Sequence, residues 1–347
     1  MKKIRFGFTG SGYMARTHAE AVKHLDSVAS LVAVWGGTRA PAFAERFGIA
    51  CEPSVEALTR RSDIDAVVIS TPHHTHVHEA MLALEAGKHV FIEKPMATTV
   101  ADCDRILAAA QQRGLVIAIG YTGRFRNNPP RARELIAAGA IGRVQSMHFS
   151  FYEDLGLAAN FGDTKLTWLN MPESIGYVMD GLPHGIDLMR WFTGAEITTV
   201  AGFSRTFLPN RPLEDTNVGI MELSNGAICS VNTTCAAAGP YPREHPRLSI
   251  VGSEGSIDMD PTGDLHLSNR QDGWRLVTTQ PALHVDDPDL AYKVPRMLAY
   301  YAQMQSFIDG IHGKPMTAGN GVDGREAVAA CLAVLTSARE QRLVRLR

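Results

Sequence analysis

The sequence predicts an N-terminal α/β domain with a doubly wound parallel sheet, followed by an α+β domain. The chain has 347 residues, more than a single hydrophobic core usually serves, so two domains are expected. Up to about residue 120, short runs that are apolar on both faces alternate with helical patterns. This alternation is typical of a parallel sheet covered by helices. Beyond it, polar and apolar residues alternate in strands separated by turns.

The first domain is predicted over residues 1–122. Its helices end at glycines such as Gly87 and Gly114, which adopt the left-handed backbone of a helix C-terminus without strain. Right-handed crossovers between its strands give a doubly wound sheet. The strands are predicted at residues 4–9, 28–35, 66–70, 89–92 and 116–120, and the helices at residues 15–24, 41–47, 55–60, 76–86 and 101–113.

The second domain is predicted over residues 123–347. Residues 155–174 show no clear period and predict a long loop, a feature that in compact domains usually has a function. Pro183 predicts a helix start, because proline suits the first helical position. Helices are predicted at residues 130–138, 183–192, 297–310 and 325–340, and antiparallel strands at residues 144–152, 198–208, 217–223, 227–234, 247–252, 256–259 and 264–267.

The composition predicts a cytoplasmic protein whose partner is a small molecule. The net charge of −2 creates no field that attracts nucleic acid or an anionic membrane. The five cysteines are scattered without a C-x-x-C pair, so neither a disulfide framework nor a structural zinc site is indicated. No apolar stretch approaches the roughly 20 residues of a membrane span, and no signal-peptide pattern follows Met1.

A glycine-rich turn follows the first predicted strand and opens the first helix. Residues 10–15 read G-S-G-Y-M-A and fit the pattern G-x-G-x-x-A. Glycines allow the backbone to approach a pyrophosphate closely, and the helix N-terminus attracts its charge. A plain tight turn is the alternative. The pattern predicts a Rossmann domain whose cofactor contacts include Gly10, Ser11, Gly12, Tyr13 and Met14.

The end of the second predicted strand favours NADP over NAD as the cofactor. An acidic residue there would bind the ribose 2′-hydroxyl of NAD, but residues 35–39 read W-G-G-T-R. The backbone of Gly37, the hydroxyl of Thr38 and the guanidinium of Arg39 suit a 2′-phosphate. The alternative is a simple helix cap at Thr38 with a solvated Arg39.

Three segments carry a resemblance to a known family. Residues 70–76 read S-T-P-H-H-T-H, residues 86–95 read A-G-K-H-V-F-I-E-K-P, and residues 180–187 read D-G-L-P-H-G-I-D. In the order and spacing of these motifs, the chain resembles the Gfo/Idh/MocA oxidoreductases over nearly its whole length. The resemblance implies cofactor contacts from Thr71, Pro72, His73, His76, Glu93 and Lys94.

The resemblance also implies the activity and the assembly. It implies an open-sheet second domain and an NAD(P)-dependent dehydrogenase or reductase that acts on CH–OH groups of a sugar, sugar derivative or cyclitol, as inositol dehydrogenases and glucose-fructose oxidoreductases do. It further implies a homodimer or homotetramer. Two departures leave the substrate unnamed. Residues 174–176 read S-I-G where many members have three glycines, and His73 stands where asparagine is common.

Lys94, Asp180 and His184 are the predicted catalytic residues. Lys94 follows a strand at the sheet edge where ligands bind, and Pro95 suits a tight turn that can be cis. His184 suits a general acid or base, because the ordinary pKa of histidine, about 6.5, lies near neutrality. The family resemblance adds a role in contacting the substrate for all three residues. Which of Lys94 and His184 accepts the proton is left open.

Each catalytic assignment has a structural alternative. Lys94 as a solvated partner of Glu93 and His184 as a core histidine are the alternatives to catalysis. If Pro183 is the first residue of its helix, His184 lies in the first turn and Asp187 shares its face. Asp187 then either orients the His184 ring or complements the helix N-terminus.

Further residues are candidates for substrate binding. Tyr121 and Arg124 follow the last strand of the first domain, and the predicted long loop contributes Lys165, Trp168 and Asn170. A structural or solvated role is the alternative for each. Four histidines suggest a metal site, but hydride transfer needs no metal and no acidic or cysteine ligand is nearby, so none is expected. These are His73, His74, His76 and His78.

Two other functions compete with the dehydrogenase. The first is a glycoside-processing enzyme that oxidises a ring hydroxyl transiently, eliminates a substituent and retains its NAD(P). The second is a non-enzymatic regulator that binds a dinucleotide. Loss of Lys94 or His184 would indicate the regulator, and both residues are present.

Overall fold

The computed structural model describes residues 2–154, 168–238, 246–279 and 294–346. The chain divides into two compact units, which are described separately. Unit 1 consists of residues 1–122 and 291–325, and unit 2 of residues 123–290 and 326–347. Within the described ranges, no helix combines the length and the apolar character needed to cross a membrane.

Unit 1 contains a six-stranded parallel sheet, which confirms the predicted fold class. The strand order is β3-β2-β1-β4-β5-β6, with neighbouring strands parallel. The carboxyl ends of these strands therefore meet at one edge, where ligands bind in open α/β sheets. The strands are β1 (Ile4–Thr9), β2 (Ala29–Trp35), β3 (Ala50–Cys51), β4 (Ala66–Ile69), β5 (His89–Ile92) and β6 (Ile117–Ile119).

The helices of unit 1 begin and end where capping residues stand. The Ser54 and Thr99 side chains accept backbone N–H groups at two helix N-termini, and Gly48 and Gly114 adopt left-handed backbone at two C-termini. The helices are α1 (Tyr13–His24), α2 (Ala40–Phe47), α3 (Val55–Arg60), α4 (His76–Glu85), α5 (Val100–Arg113) and, much later in the chain, α8 (Val294–Ile311).

Helix α8 corrects the predicted domain limits. The sequence analysis assigned all of residues 123–347 to the second domain, but residues 291–325 belong to unit 1. The reason is apolar packing. The Phe307 ring is fully buried, with its centroid 6.3 Å from that of Phe6 and 5.8 Å from that of Phe91. Helix α8 thus completes the core of a unit that the chain began nearly 300 residues earlier.

Unit 2 contains a nine-stranded mixed sheet in the order β14-β13-β12-β11-β7-β10-β9-β8-β15. The prediction that its strands are antiparallel is wrong for one pair, since β7 and β10 are parallel. A helix follows β7 and returns the chain, so β8 runs in the same direction as β7. Strand β9 is antiparallel to β8, and β10 is antiparallel to β9, so β10 also runs in that direction. The strands are β7 (Val144–Tyr152), β8 (Ile197–Arg205), β9 (Thr216–Leu223), β10 (Ile228–Thr234), β11 (Pro246–Gly252), β12 (Gly255–Met259), β13 (Leu265–Asn269), β14 (Gly273–Thr278) and β15 (Val344–Arg345).

The helix after β7 lies close against the sheet of unit 2. This helix, α7 (Val178–Thr193), has glycine where a side chain would collide with β7 and β10. A Cβ on Gly185 would lie 2.4 Å from the Phe149 ring, and one on Gly181 would lie 3.1 Å from Thr233. Two more helices complete the unit, α6 (Asn128–Ala137) and most of α9 (Gly321–Glu340).

Candidate active site

The glycine-rich turn of unit 1 leaves a helix N-terminus open to a phosphate. Gly10 has a φ of 94°, and a Cβ there would lie 2.5 Å from the carbonyl oxygen of Ser70. Helix α1 begins directly after Gly12, which has no side chain to cover the helix N-terminus. The first turn of α1 carries no acidic residue. A cradle of this kind fits the pyrophosphate of a dinucleotide. The Ser11 side chain stabilises the turn itself, because its hydroxyl donates to the carbonyl of Gly36 at 2.5 Å.

Gly36, directly after β2, has no room for a side chain. Gly36 has a φ of 155°, and a Cβ on it would lie 2.6 Å from the Cα of Gly10. Arg39 reaches the glycine-rich turn of residues 10–12, which we call the phosphate turn. One of its guanidinium nitrogens lies 3.4 Å from the position that a Cβ on Gly12 would take. The alternative of a helix cap at Thr38 is wrong, because α2 begins at Ala40 and its N-cap is Arg39. Gly37 has open space around its Cα.

Arg296 is a cation near this turn that sequence reasoning missed. It is 6% exposed, and its guanidinium carbon lies 5.1 Å from the centroid of the Tyr13 ring in the first turn of α1. It also donates to the Tyr300 hydroxyl at 2.9 Å. Arg296 belongs to α8, so no local sequence pattern connects it with residues 10–15. Met14 lies next to Tyr13 in the same helical turn.

Lys94 lies in a turn that the side chains of Glu93 and His18 stabilise. It follows β5 and is half-buried, and its peptide bond to Pro95 is cis, as the sequence analysis considered. The buried Glu93 carboxylate accepts the backbone N–H of Lys94 at 3.2 Å. The other Glu93 oxygen lies 2.6 Å from Nε2 of His18 in α1. Glu93 thus anchors the turn rather than facing outward, and His18 is a second residue that the sequence analysis missed.

The loop of residues 70–76 after β4, which we call the Thr71 loop, contacts both the phosphate turn and the Lys94–Pro95 turn. The Thr71 hydroxyl donates to the buried carboxylate of Glu79 at 2.8 Å, and Pro72 leads into a short 3₁₀ helix, His73–Thr75. His73 is 4% exposed. His76 is fully buried and lies within hydrogen-bond distance of two backbone carbonyls. Both ring nitrogens thus face the protein backbone, and a contact of His76 with the cofactor stays a prediction.

Asp180 and His184 lie one turn apart on α7, and therefore on one face. Asp180 is 3% exposed, and the half-buried His184 ring meets Phe151 edge-on at 5.9 Å. The prediction that Pro183 begins this helix is wrong, because α7 begins at Val178 and Pro183 is internal. Asp180 therefore occupies the first turn and His184 the second.

Glu214 explains why α7 begins where it does. Its carboxylate accepts the backbone N–H of Val178 at 2.8 Å and that of Tyr177 at 3.2 Å, which satisfies two donors at the helix N-terminus. Gly176, with a φ of 107°, allows this approach, because a Cβ there would lie 2.5 Å from the carboxylate. The S-I-G variation at residues 174–176 is thus part of this cap, and Ile175 itself adopts positive φ.

Burial raises the pKa of Glu214 to about 7. Its ordinary value is 4.5, so between these pH values the unfolded chain loses the proton before the folded chain does. We therefore expect the free energy of unfolding to fall as the pH rises from about 4.5 to 7, by up to about 3 kcal/mol relative to Glu214→Gln. Denaturant midpoints of both proteins across this range measure the difference. A difference that does not vary with pH would contradict it.

The remaining predicted substrate residues have mainly structural surroundings. Arg124 and Asp187 are both buried and form a bidentate ion pair, with distances from 2.5 to 3.2 Å. Arg124 thus has a structural partner within unit 2, and its contact with the substrate stays a prediction. Tyr121 is 1% exposed, and Trp168 packs against a buried cluster that includes Tyr177. Asn170 is half-buried, and Lys165 lies outside the described residues.

Comparison with known proteins decides the family. Residues 4–121 match the model of the oxidoreductase family with an NAD-binding Rossmann fold, and residues 130–258 match the GFO/IDH/MocA C-terminal domain. The chain belongs to the Gfo/Idh/MocA oxidoreductase family. The resemblance in the sequence motifs is confirmed, and with it the oxidoreductase class. The roles of individual site residues stay predictions.

Several relatives in this family are named as dehydrogenases. Levoglucosan dehydrogenase of Pseudarthrobacter phenanthrenivorans is 27% identical over 325 residues, covering 81% of this chain and 82% of that protein. Inositol 2-dehydrogenase 3 of Saccharopolyspora erythraea is 26% identical over 349 residues, covering 98% and 95%. A Comamonas testosteroni protein named 1-carboxy-3-chloro-3,4-dihydroxycyclo hexa-1,5-diene dehydrogenase is 32% identical over 177 residues, but only 44% of its length is matched.

The fold is also shared with solved structures. A complex of levoglucosan dehydrogenase with NADH and L-sorbose covers 100% of both chains with a TM-score of 0.87 at 23% identity. An oxidoreductase domain protein from Kribbella flavida matches with a TM-score of 0.87 at 25% identity, again over 100% of both chains. These matches confirm a Rossmann unit joined to a mixed-sheet unit.

Proposed function

We propose that this oxidoreductase transfers a hydride between NAD(P) and a secondary alcohol, or the matching ketone, of a sugar, sugar derivative or cyclitol. One observation within unit 1 carries the proposal. The phosphate turn at Gly10 follows β1 and Lys94 follows β5, and the carboxyl ends of parallel strands lie at one sheet edge. A dinucleotide cradle and a lysine side chain therefore share that edge. The names of the related dehydrogenases support the class of alcohol.

The proposed chemistry divides between the cofactor and three side chains. The bound nicotinamide supplies or accepts the hydride. We assign Lys94 to donate a hydrogen bond to the substrate oxygen, His184 to exchange the hydroxyl proton and Asp180 to hold the substrate hydroxyl. The anchoring of Lys94 by Glu93 and of α7 by Glu214 supports these roles, because both turns are held by buried contacts.

A screen of cofactor reduction tests the function. Polyols, inositols and aldoses are offered with NAD and with NADP, and formation of the reduced cofactor is followed by absorbance. We expect reduction with at least one cyclic polyol or aldose. Consumption of a glycoside without net release of reduced cofactor would instead indicate the glycoside-processing reaction. Tight cofactor binding without any turnover would indicate the regulator.

We further propose that NADP is the preferred cofactor. Residues 35–39 carry no acidic side chain, Gly36 has no room for a side chain at its position, and Arg39 lies beside the phosphate turn. Charged hydrogen bonds of this kind contribute about 1.5–3 kcal/mol, so Arg39→Ala is expected to weaken NADP binding about 10- to 100-fold and to leave NAD binding unchanged. Titration of both cofactors measures this. Arg46→Ala on the same helix is the matched control, and an unchanged preference in Arg39→Ala removes Arg39 from the site.

We also propose a homodimer or homotetramer that assembles through the sheet of unit 2. Phe203, Ile220 and Ile228 are each more than half exposed on neighbouring strands, and exposed apolar clusters of this kind mark interfaces. Ile220→Lys is expected to reduce the molar mass in light scattering, whereas Leu298→Lys in unit 1 is not. A parent protein of monomer mass would overturn this proposal.

The five free cysteines support a cytoplasmic location.

A further inference from the structure

The His76 ring has an unusual pair of partners. It is fully buried at the start of α4. Its Nδ1 lies 2.8 Å from the carbonyl oxygen of Pro95, and its Nε2 lies 2.9 Å from the carbonyl oxygen of Thr71. The ring thus lies between two backbone segments, and each of its nitrogens faces one of them.

We propose that His76 is a positioning residue that joins the Thr71 loop to the Lys94–Pro95 turn. One ring nitrogen faces a backbone carbonyl of the loop, and the other faces a backbone carbonyl of the turn. The proposal rests on the proposed function where it concerns Lys94. It differs from a cofactor contact, because the ring has no exposed surface and both nitrogens face the protein backbone.

A buried carboxylate holds the Thr71 side of this connection. The carbonyl of Thr71 lies within hydrogen-bond distance of the His76 ring, and its hydroxyl donates to the carboxylate of Glu79. Thr9 donates to the same carboxylate oxygen at 2.5 Å. Ring, peptide and carboxylate thus form one connected network. The other titratable groups around this segment are His73, whose ring centroid is 6.0 Å away, and Glu93 and Lys94 in the turn that His76 holds.

The consequence for the site is a rigid connection between its two parts in unit 1. The backbone next to Thr71 packs against the phosphate turn, since a Cβ on Gly10 would lie 2.5 Å from the Ser70 carbonyl and 3.3 Å from the Thr71 nitrogen. Pro95 follows Lys94 directly. His76 therefore fixes Lys94 relative to the place where the cofactor phosphates bind, and a misplacement of about 1 Å in such a group can reduce a rate about 10²-fold.

Hydrogen exchange of the backbone amides of residues 71–76 and 93–97 tests the connection without a substrate. We expect faster exchange in both segments of His76→Gln than in the parent protein, and unchanged exchange in a folded variant would overturn the proposal. Failure of the proposed function therefore cannot be mistaken for failure of the His76 assignment.

Kinetics of His76→Gln test the positioning role, because glutamine can reach only one of the two carbonyls. We expect kcat to fall about 10²-fold, with a smaller change in the substrate KM. His78→Gln, an exposed histidine on the same helix, is the matched control and should keep the parent kcat. A folded His76→Gln variant with the parent kcat would overturn the positioning role.

Discussion

Lys94→Ala is expected to reduce turnover by about 10²- to 10³-fold, the contribution that one hydrogen-bond donor to the reacting oxygen usually makes. Cofactor affinity should stay near that of the parent, because the phosphate turn and Arg39 are built by other residues of unit 1. Steady-state kinetics on the best alcohol of the screen, together with cofactor titration, measure both quantities. Reduced turnover with intact cofactor binding would place Lys94 in the chemical step.

Two further variants sharpen this experiment. Lys23→Ala removes an exposed lysine from α1 and should leave turnover unchanged. Lys94→Arg keeps the charge but changes the shape of the donor, so it should restore only part of the activity. If Lys94→Ala retains turnover within about tenfold of the parent, the catalytic assignment fails, because a hydrogen-bond donor to the reacting oxygen contributes more than that.

Asp187→Ala is expected to lower the free energy of unfolding by about 3–5 kcal/mol, because it leaves the buried Arg124 guanidinium without its ion-pair partner. The side chains of Arg124 and Asp187 are 7% and 1% exposed. Denaturant midpoints followed by a probe in unit 2 measure the loss. The result separates a structural role of Asp187 from the role in orienting His184 that the sequence suggested.

A matched control and a rescue accompany this prediction. Glu134→Ala breaks an exposed pair with Arg131 and is expected to change stability by less than about 1 kcal/mol. Replacing both members of the buried pair, with Arg124→Met and Asp187→Leu together, should recover most of the lost stability, because no unpaired charge remains. A loss below about 1 kcal/mol in Asp187→Ala would show that the ion pair is not important for folding.

The sequence predicted those parts of the fold that depend on local patterns. Helix 55–60 and strands 89–92 and 144–152 have the predicted limits, because caps, turns and apolar runs are all encoded within a few residues. The short edge strands β3 and β15, with two residues each, were missed, since pairing with a neighbour creates them and no run of their own predicts them.

The errors in the site have a different physical cause. Pro183 indicated a helix start, but a carboxylate from Glu214, 36 residues away, moves the start to Val178. His18 was missed because its partner Glu93 is 75 residues away. The motifs predict which residues take part in the reaction, whereas the side chains that hold Lys94 and α7 in place come from distant parts of the chain and leave no local signal.

Helix α8 has a consequence for how the protein is made. A ribosome releases residues 1–122 long before it synthesises α8, a delay of roughly 10–30 s at usual elongation rates. During that time, the surface of Phe6 and Phe91 that Phe307 later covers has no permanent neighbour. Part of the core of unit 1 is therefore exposed in the nascent chain until α8 has emerged. A truncated product that lacks α8 would keep this apolar surface exposed and would be prone to aggregation.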